Sequence, residues 1–550
     1  MKKKLLILFF VVTFFAVGAA SAAAVNEDAV VVGLRYGSSA LFSANLENAL
    51  DRGFSFGYYD DDYFFETVGQ TEETAISMTA SGDIYMSANG TYSPDGDGTY
   101  LGAWHVQIDG FRDYDDALEA AEDYGGYPAW IDREYVVRIG FYASRAKAEV
   151  AAEKLGEGYA VSSSSNGVLV TVTRTATPLF EFDCGRLVLA VQPEKRSGEN
   201  STWFKGYKYA GAFQYPRYGN TLHVYNVVDL ETYVKGVIPY EMNAAWPKEA
   251  LKAQAVCART YACRTSKHRG TYDFDVCAGT CCQVYCGQGS GAVYATAASD
   301  AAVDATAGER LYYHGDLVQD AVYHSSNGGA TEDAVNVWGG DKGYLKGKKD
   351  PYEALTSIPN YTWSVTYTAD ELTWILDQKG YSVGTVKNVY VSEFTDVGNV
   401  KAVTFEGSQD TLTVSGDTCR SIFYSSTYQK SVSSLRFTIN GGTVKTASGI
   451  VVNGNTTLDS LDGVSVISGR GTISRLNGSS VRAISSKGTI AVSVASASSA
   501  AVSGDGAFTI TGSGNGHNVG MSQYGAKAMA ENGYGYDEIL TFYFTDVTIA

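Results

Sequence analysis

Residues 104–156 read WHVQIDGFRDYDDALEAAEDYGGYPAWIDREYVVRIGFYASRAKAEVAAEKLG. WHVQIDGF alternates apolar and polar residues as a half-buried strand does, and DYDDALEAAEDYG repeats its apolar positions at the three- and four-residue intervals of an acidic amphipathic helix. YPAWI and YVVRIGFY return to strand, and SRAKAEVAAEKLG is a second helix. The order strand, helix, strand, strand, helix places the chain in the α+β class, with a small α/β module over residues 99–170. Upstream, VVGLRYGSSALFSANLE and FSFGYYDDDYFFE predict a strand-rich segment over 25–98 with solvated acidic turns. Downstream, GYAVSSSSNGVLVTVT reads as a flexible boundary followed by a strand, and further strands lead to LETYVKGVIPYEM, where the chain enters helices.

The two ends carry different signals. Residues 1–24, MKKKLLILFFVVTFFAVGAASAAA, combine three lysines, an apolar run and alternating small residues, the pattern of a secretory signal peptide. The run falls short of the roughly 20 apolar residues of a stable span, so export is expected; retention as an N-terminal anchor is the alternative. The expected location is extracytoplasmic, at the cell wall or the outer face of the membrane. With 42 basic against 60 acidic side chains, the chain lacks the basic footprint that nucleic acid or anionic lipid requires. Between 431 and 506, short Val/Ile segments alternate with Gly, Asn and Ser, which predicts a β-rich insertion whose period is too irregular to choose between a sandwich and a stack. The core is then expected in two parts, 181–430 and 507–550.

The chemistry centres on VIPYEMNAAWPKEALKAQAVCARTYA, residues 237–262. Pro247 opens a helix that repeats Leu251, Ala255, Ala258 and Ala262 on one face. Glu241 precedes that helix and follows Pro239, so a turn is expected to hold its carboxylate at a fixed place in a cleft. A lone Glu beside a helix is ordinarily structural or solvated, and this stretch alone does not decide between that and acid/base work.

Three motifs in order alter the balance: LETYVKGVIPYEMNAAWPKEALKAQAVCARTYA, YHSSNGGATEDAVNVWGGDKGYL and GHNVGMSQYGAKAMAENGYGYDEILTFYF. Together they resemble the stage II sporulation protein D and amidase-enhancer family, over a span from about residue 181 to the C-terminus. The resemblance implies a mixed helix and strand catalytic domain with a long glycan groove. It implies an exported peptidoglycan lytic transglycosylase that cleaves the MurNAc–GlcNAc bond and leaves 1,6-anhydro-MurNAc ends, with Glu241 as the acid/base. The alternative to that leading reading is a non-enzymatic, wall-binding enhancer of an N-acetylmuramoyl-L-alanine amidase. The 104–156 stretch resembles the sporulation-related repeat domain, which implies binding to peptidoglycan strands, including those stripped of peptides. A packing module without a ligand is its alternative. No nucleotide is expected, since the phosphate-loop order is absent, and no cofactor is needed for the chemistry.

Further residues are candidates to line the groove. Arg259 and Tyr261 would point polar tips into it, or else serve packing. His324, Ser325, Ser326 and Asn327 offer short hydrogen-bonding groups ahead of two glycines, or form a plain capped turn. His517, Gln523 and Tyr524 follow a glycine-rich loop that can bend into a cleft. The family pattern usually has glycine where Asn518 stands, which puts the loop's shape in question. No spacing supplies an activated serine triad.

Cys277, Cys281, Cys282 and Cys286 lie within ten residues, with His268 upstream. Thiolates and an imidazole so close suit a tetrahedral, structural zinc ion at His268, Cys277, Cys281 and Cys282, while disulfides are natural for an exported chain. The resemblance favours Cys277 and Cys282 as ligands, with Cys281 beside them where some members have histidine.

Overall fold

A computed structural model describes residues 29–48, 52–194, 201–290, 293–439 and 507–550, with short strands between 450 and 491. The residues read as an export signal, 1–24, lie outside those described. The chain divides into two units: Met1–Lys205 with Gly211–Asp229, and Gly206–Ala210 with Leu230–Ala550.

In the first unit the elements of 104–156 form as their periodicity dictates. Strand Trp104–Phe111 is followed by helix Tyr114–Tyr124, strands Tyr127–Ile131 and Glu134–Tyr142, and helix Arg145–Leu155. Asp113 and Ser144 cap the helix starts by accepting the N–H of Asp116 and Lys147, and Gly125 and Gly156 end the helices in the left-handed region. The stretch read as a flexible boundary contains one more strand, Tyr159–Ser162, which pairs antiparallel with Trp104–Phe111. Its polar Ser-rich continuation hides that strand from a periodicity reading.

The sheet does not end with this module. Tyr127–Ile131 pairs in parallel with Pro178–Asp183, and the ladder runs on through Val168–Val172, Ala75–Ala80 and Ser43–Asn48. A second sheet in the unit runs Ala29–Arg35, Val224–Asp229, Ala212–Gln214, Ala190–Pro193, Phe54–Tyr59 and Phe65–Thr71. Segments before and after the module thus interleave. The two sheets meet through Phe56 stacked on Phe180 at 5.2 Å and Tyr58 on Trp130 at 5.3 Å. Phe54, Phe56 and Phe180 are fully enclosed, and each such side chain stabilises the fold by roughly 1.5–3 kcal/mol relative to exposure.

In the second unit the helix Lys248–Ala262 is buried at every residue from Ala250 to Ala262 except Lys252. Its alanines let other helices approach closely, and Leu230–Glu241, Ala297–Asp304, Gln523–Glu531 and Tyr536–Tyr543 pack on it. The turn expected at Pro239 is instead helix: Leu230–Glu241 runs through the proline. Proline removes one backbone donor near the helix end, and buried Leu230, Tyr233, Val234, Val237 and Ile238 outweigh that loss. Glu241 is therefore the last residue of a helix.

Two small ladders bring the remaining motifs together. Tyr323–His324 pairs in parallel with Met521–Ser522. Strand Ala507–Ser513 lies between Thr362–Thr368 and Phe437–Ile439, so Ile439 faces Ile510. Of the chain between these two residues, the described part consists of three hairpins, Ile450–Val452 with Thr456–Leu458, Ser465–Ile467 with Ile473–Arg475, and Arg482–Ser485 with Gly488–Ala491. Among the described residues no helix is long and apolar enough to cross a membrane.

Candidate functional site

Glu241 ends its helix half-buried, with its carboxylate held by three donors. The Val284 N–H donates to Oε1 at 3.0 Å, the Gln523 side-chain amide to Oε2 at 3.4 Å, and the Tyr323 hydroxyl adds a third bond. Burial pushes the carboxyl pKa up, and the Val284, Gln523 and Tyr323 donors pull only partly against it. No cation within ion-pair distance is among its described partners. The result is a carboxyl group poised to hold a proton more readily than a solvated Glu, with donors that also steady its ionised form.

The donors are themselves held in place. Tyr233 donates to Gln283 Oε1 at 2.9 Å, and Gln283 Nε2 donates to the Tyr323 hydroxyl at 3.1 Å and to the Ala258 carbonyl at 3.4 Å. Gln523 also lies 3.5 Å from Gln254. Gln283 and Val284 follow directly on Cys282, so the loop that holds the cysteines is the loop that supplies Glu241 with its backbone donor.

In that loop His268, Cys277, Cys281 and Cys282 bring their ligand atoms within 4.8 Å of one another. His268 Nε2 lies 3.2 Å from Cys282 Sγ. The Cys277 thiol against Cys282, with burial, pushes the Cys282 thiol pKa upward. One imidazole and three thiols converging from different directions fit a tetrahedral zinc site, and Cys281 and Cys282 both stand as thiols.

The other predicted residues fall into three groups. Gln523 reaches Glu241 itself. Ser325, Ser326 and Asn327 form a loop laid against the glycine-rich segment: the Ser325 carbonyl accepts the Tyr524 N–H at 3.0 Å, and Ser326 exchanges backbone bonds with Asn515 at 3.0 and 2.8 Å. A Cβ on Gly516 would stand 2.6 Å from His324 Cβ, so glycine is what lets the two loops touch. Tyr524 packs its ring on Trp246 at 4.8 Å.

The histidines form a separate pair. His324 is buried, with Nδ1 donating to the Val519 carbonyl at 3.1 Å and Nε2 without a partner. His517 Nδ1 accepts the Val519 N–H at 3.1 Å, and its ring lies 5.4 Å from His324 and 5.1 Å from the half-exposed Trp338. Burial, with Arg420 nearby, lowers the His517 pKa to about 4, and burial drives that of His324 down as well, so both imidazoles are neutral.

Neither Arg259 nor Tyr261 is among the described partners of Glu241. The Arg259 guanidinium is fully enclosed, bidentate on Glu231 at 2.7 and 2.6 Å and donating to the Glu309 and Val303 carbonyls. With those partners filled, it joins helices rather than facing a groove. Tyr261 lies under the Arg264 guanidinium at 4.3 Å, with its hydroxyl on Cys282. Tyr323, Gln283, Val284 and Gln254 were not among the expected site residues. Tyr323 and Gln254 lie inside the quoted motifs, and Gln283 and Val284 follow Cys282, so their place in or beside a motif was their sequence signal.

Comparison with known proteins bears on these same elements. The family model described as stage II sporulation protein matches residues 218–313, which take in Glu241, the buried helix and the cysteine loop. The chain is 33% identical over 369 residues to the amidase enhancer of Bacillus subtilis (strain 168), covering 66% of this chain and 46% of that protein. It is 32% identical over 346 residues to an uncharacterized protein of Brachyspira hyodysenteriae (strain ATCC 49526 / WA1), covering 62% of this chain and 73% of that one. With stage II sporulation protein D of Bacillus subtilis (strain 168) it shares 28% over 337 residues, 59% of this chain and 75% of that protein. The chain belongs to the family of stage II sporulation protein D and the amidase enhancers. It spans about half the length of the amidase enhancer it matches.

Proposed function

We propose that this chain takes part in peptidoglycan remodelling outside the cytoplasm, as a wall-binding enhancer of an N-acetylmuramoyl-L-alanine amidase. The observation that carries this reading is the 33% identity to the amidase enhancer over 369 residues, which includes the helix bearing Glu241. The leader-like residues 1–24 would direct export. The 104–156 module would bind glycan strands, peptide-stripped ones included, and so raise the local concentration of the wall around the site. A zinc ion held by His268, Cys277, Cys281 and Cys282 would supply a tetrahedral cross-link. The Gln283–Val284 backbone beside it steadies Glu241.

A second reading is favoured by Glu241 itself: a carboxyl raised by burial, with neutral donors and no cation among its described partners, suits a lytic transglycosylase. The Glu241 carboxylic acid would protonate the glycosidic oxygen between MurNAc and GlcNAc, and the C1–O bond would break with that oxygen leaving as the GlcNAc hydroxyl. The muramoyl 6-hydroxyl would form the new bond to C1 and give its proton to the carboxylate, which restores the acid. One carboxyl then suffices, since no water attacks.

One experiment tests both. Purified protein and Glu241→Gln are incubated with wall glycan, and products are examined by mass for anhydro ends; in parallel a wall amidase is assayed with and without each protein. Amidase stimulation that survives Glu241→Gln, with no anhydro ends, supports the enhancer. Anhydro ends from the wild type and none from Glu241→Gln support the enzyme. Neither stimulation nor anhydro ends would overturn both.

A further inference from the structure

Glu353 is a second carboxylate close to the motifs, and nothing above gives it work. It sits on the short turn Glu353–Leu355 and is 1% exposed. Its Oε1 accepts the Asn327 N–H at 2.6 Å and the Ser522 hydroxyl at 2.5 Å, and its Oε2 accepts the Gly328 N–H at 2.9 Å. Tyr361 places a hydroxyl against it as well. One carboxylate therefore grips both loops of the site: Asn327 and Gly328 follow Tyr323 and His324, and Ser522 precedes Gln523. Those loops meet in the parallel ladder Tyr323–His324 with Met521–Ser522. Tyr323 and Gln523 are the two side chains that reach Glu241.

The surroundings show how closely this grip is built. Ser522 does double duty, donating to Glu353 while its oxygen accepts the Gly525 N–H and caps the helix Gln523–Glu531. Asp350 seconds the arrangement, accepting from Asn327 Nδ2 and from the Tyr543 hydroxyl, both at 2.7 Å. A Cβ on Gly525 would stand 1.8 Å from the Tyr543 oxygen and 2.7 Å from Asp350 Oδ2, so the helix start is pressed onto this network. The charged and titratable groups facing Glu353 are Asp350, Tyr361, Tyr543 and Arg436. Burial pushes the Glu353 carboxyl up to about 7 against the pull of Ser522 and the Asn327 N–H, with Asp350 adding to the rise. A carboxylate kept where ionisation is costly, with every oxygen on a functional loop, is placed for the site rather than for stability.

We propose that Glu353 is a positioning residue of the Glu241 site: it locks the loops carrying Tyr323 and Gln523, and so sets the two side-chain donors on the Glu241 carboxylate. This rests on the transglycosylase reading, in which Glu241 is the working group of the site, but the geometric link is testable apart from any activity. The experiment is a carboxyl 13C titration of Glu241 in the full-length protein, in wild type, Glu353→Gln, Gln523→Ala and the double variant.

Loss of the Gln523 and Tyr323 donors leaves burial less opposed, so the Glu241 midpoint is expected to rise by about half a pH unit or more in Glu353→Gln. Gln523→Ala should raise it too, and the double variant should show less than the sum, because one change acts through the other. An unchanged Glu241 midpoint in a folded Glu353→Gln, or full additivity with Gln523→Ala, overturns the proposal. Should Glu353→Gln not fold, Ser522→Ala removes one link of the same grip and is read in the same way. Wild-type function in Glu241→Gln would sink the reading of Glu241 and leave the titration result standing, so the two failures are told apart.

Discussion

Glu181 in the first unit and Glu241 in the second are both withdrawn from water, and they end in opposite states. Glu181 is fully enclosed; burial by itself would push its carboxyl up, but the Arg138 guanidinium, His105 and the Ser81 and Ser163 hydroxyls outweigh it and hold the pKa at about 2. The ion pair is short, 2.6 Å, with Arg138 only 2% exposed, and Tyr127 donates to the other oxygen at 3.1 Å. Glu241 has neutral donors in place of the cation, and its pKa goes up. The lesson is that burial does not decide what a carboxylate is for. A cation beside it commits the group to charge and to structure, and neutral donors leave it able to take and return a proton.

The strongest way to break the comparison is Arg138→Leu. Removing one partner leaves an uncompensated buried charge, so the first unit should lose about 3–5 kcal/mol, read by denaturant unfolding. A loss under about 1 kcal/mol would show that the pair is not structural. Glu241→Gln is the mirror case: on the transglycosylase reading the formation of anhydro ends should fall about a hundredfold or more, as for loss of a general acid, and on either reading the unfolding midpoint should hold or rise. A large drop in stability there would make Glu241 a structural carboxylate like Glu181.

Acid sharpens the contrast. The folded pKa of Glu181 lies below its ordinary value near 4.5, so its contribution is fully present above pH 4.5 and is lost as pH falls through 2. That window amounts to about 3 kcal/mol, and it should vanish in Arg138→Leu. Glu353 has the opposite sign: its folded pKa of about 7 lies above 4.5, so its own contribution is lost as pH rises from 4.5 to 7, while the lowered pKa values of His324 and His517 add stability over that range. Unfolding midpoints of wild type and Glu353→Gln across pH 4 to 8 check this: the difference between the two curves should change across that window, wild type losing ground to the variant as pH rises from 4.5 to 7.

A chelator addresses the cysteine loop. With metal removed, the second unit should unfold at lower temperature, and Cys281 and Cys282 should react faster with a thiol reagent. Metal content measured on the same sample decides the matter, since a protein that carries no zinc and loses nothing to chelation has no metal site there. Because Val284 belongs to this loop, the Glu241 carboxyl should also titrate differently in the chelated protein.

Much of the fold could be read from residues 104–156, because each helix there has its own cap and each strand its own alternation. The joining of that module to Pro178–Asp183 could not, since parallel pairing between distant segments leaves no local pattern. Glu241 was legible through its motif. Its donors were less so: Val284 offers a backbone N–H, which any residue carries, and Tyr323 passes as one more aromatic in a chain of 39 tyrosines. Arg259 is the reverse case, a charged residue whose motif position suggested a ligand. Its helix is buried at every residue from Ala250 to Ala262 but Lys252, and a period-based reading that sees one apolar face cannot detect that.

The smallest effect concerns Asn518, which stands where the family pattern usually has glycine. Its φ of +65° is the left-handed region, which glycine enters freely and asparagine tolerates better than other side chains. The backbone shape is therefore kept, and the side chain adds to it: Nδ2 donates to the Asn327 carbonyl at 2.6 Å and Oδ1 accepts the Leu435 N–H at 3.4 Å. Asn518→Gly preserves the φ and loses these buried bonds, for an expected cost of about 1 kcal/mol. Asn518→Ala loses the same bonds and keeps a Cβ in the left-handed region without asparagine's tolerance of it, so it should fall about 1–2 kcal/mol below the glycine variant. Thermal unfolding of the two variants separates the contributions. If glycine matches asparagine while alanine falls, the position is governed by backbone shape alone, and the bond from Asn518 to the loop gripped by Glu353 contributes nothing.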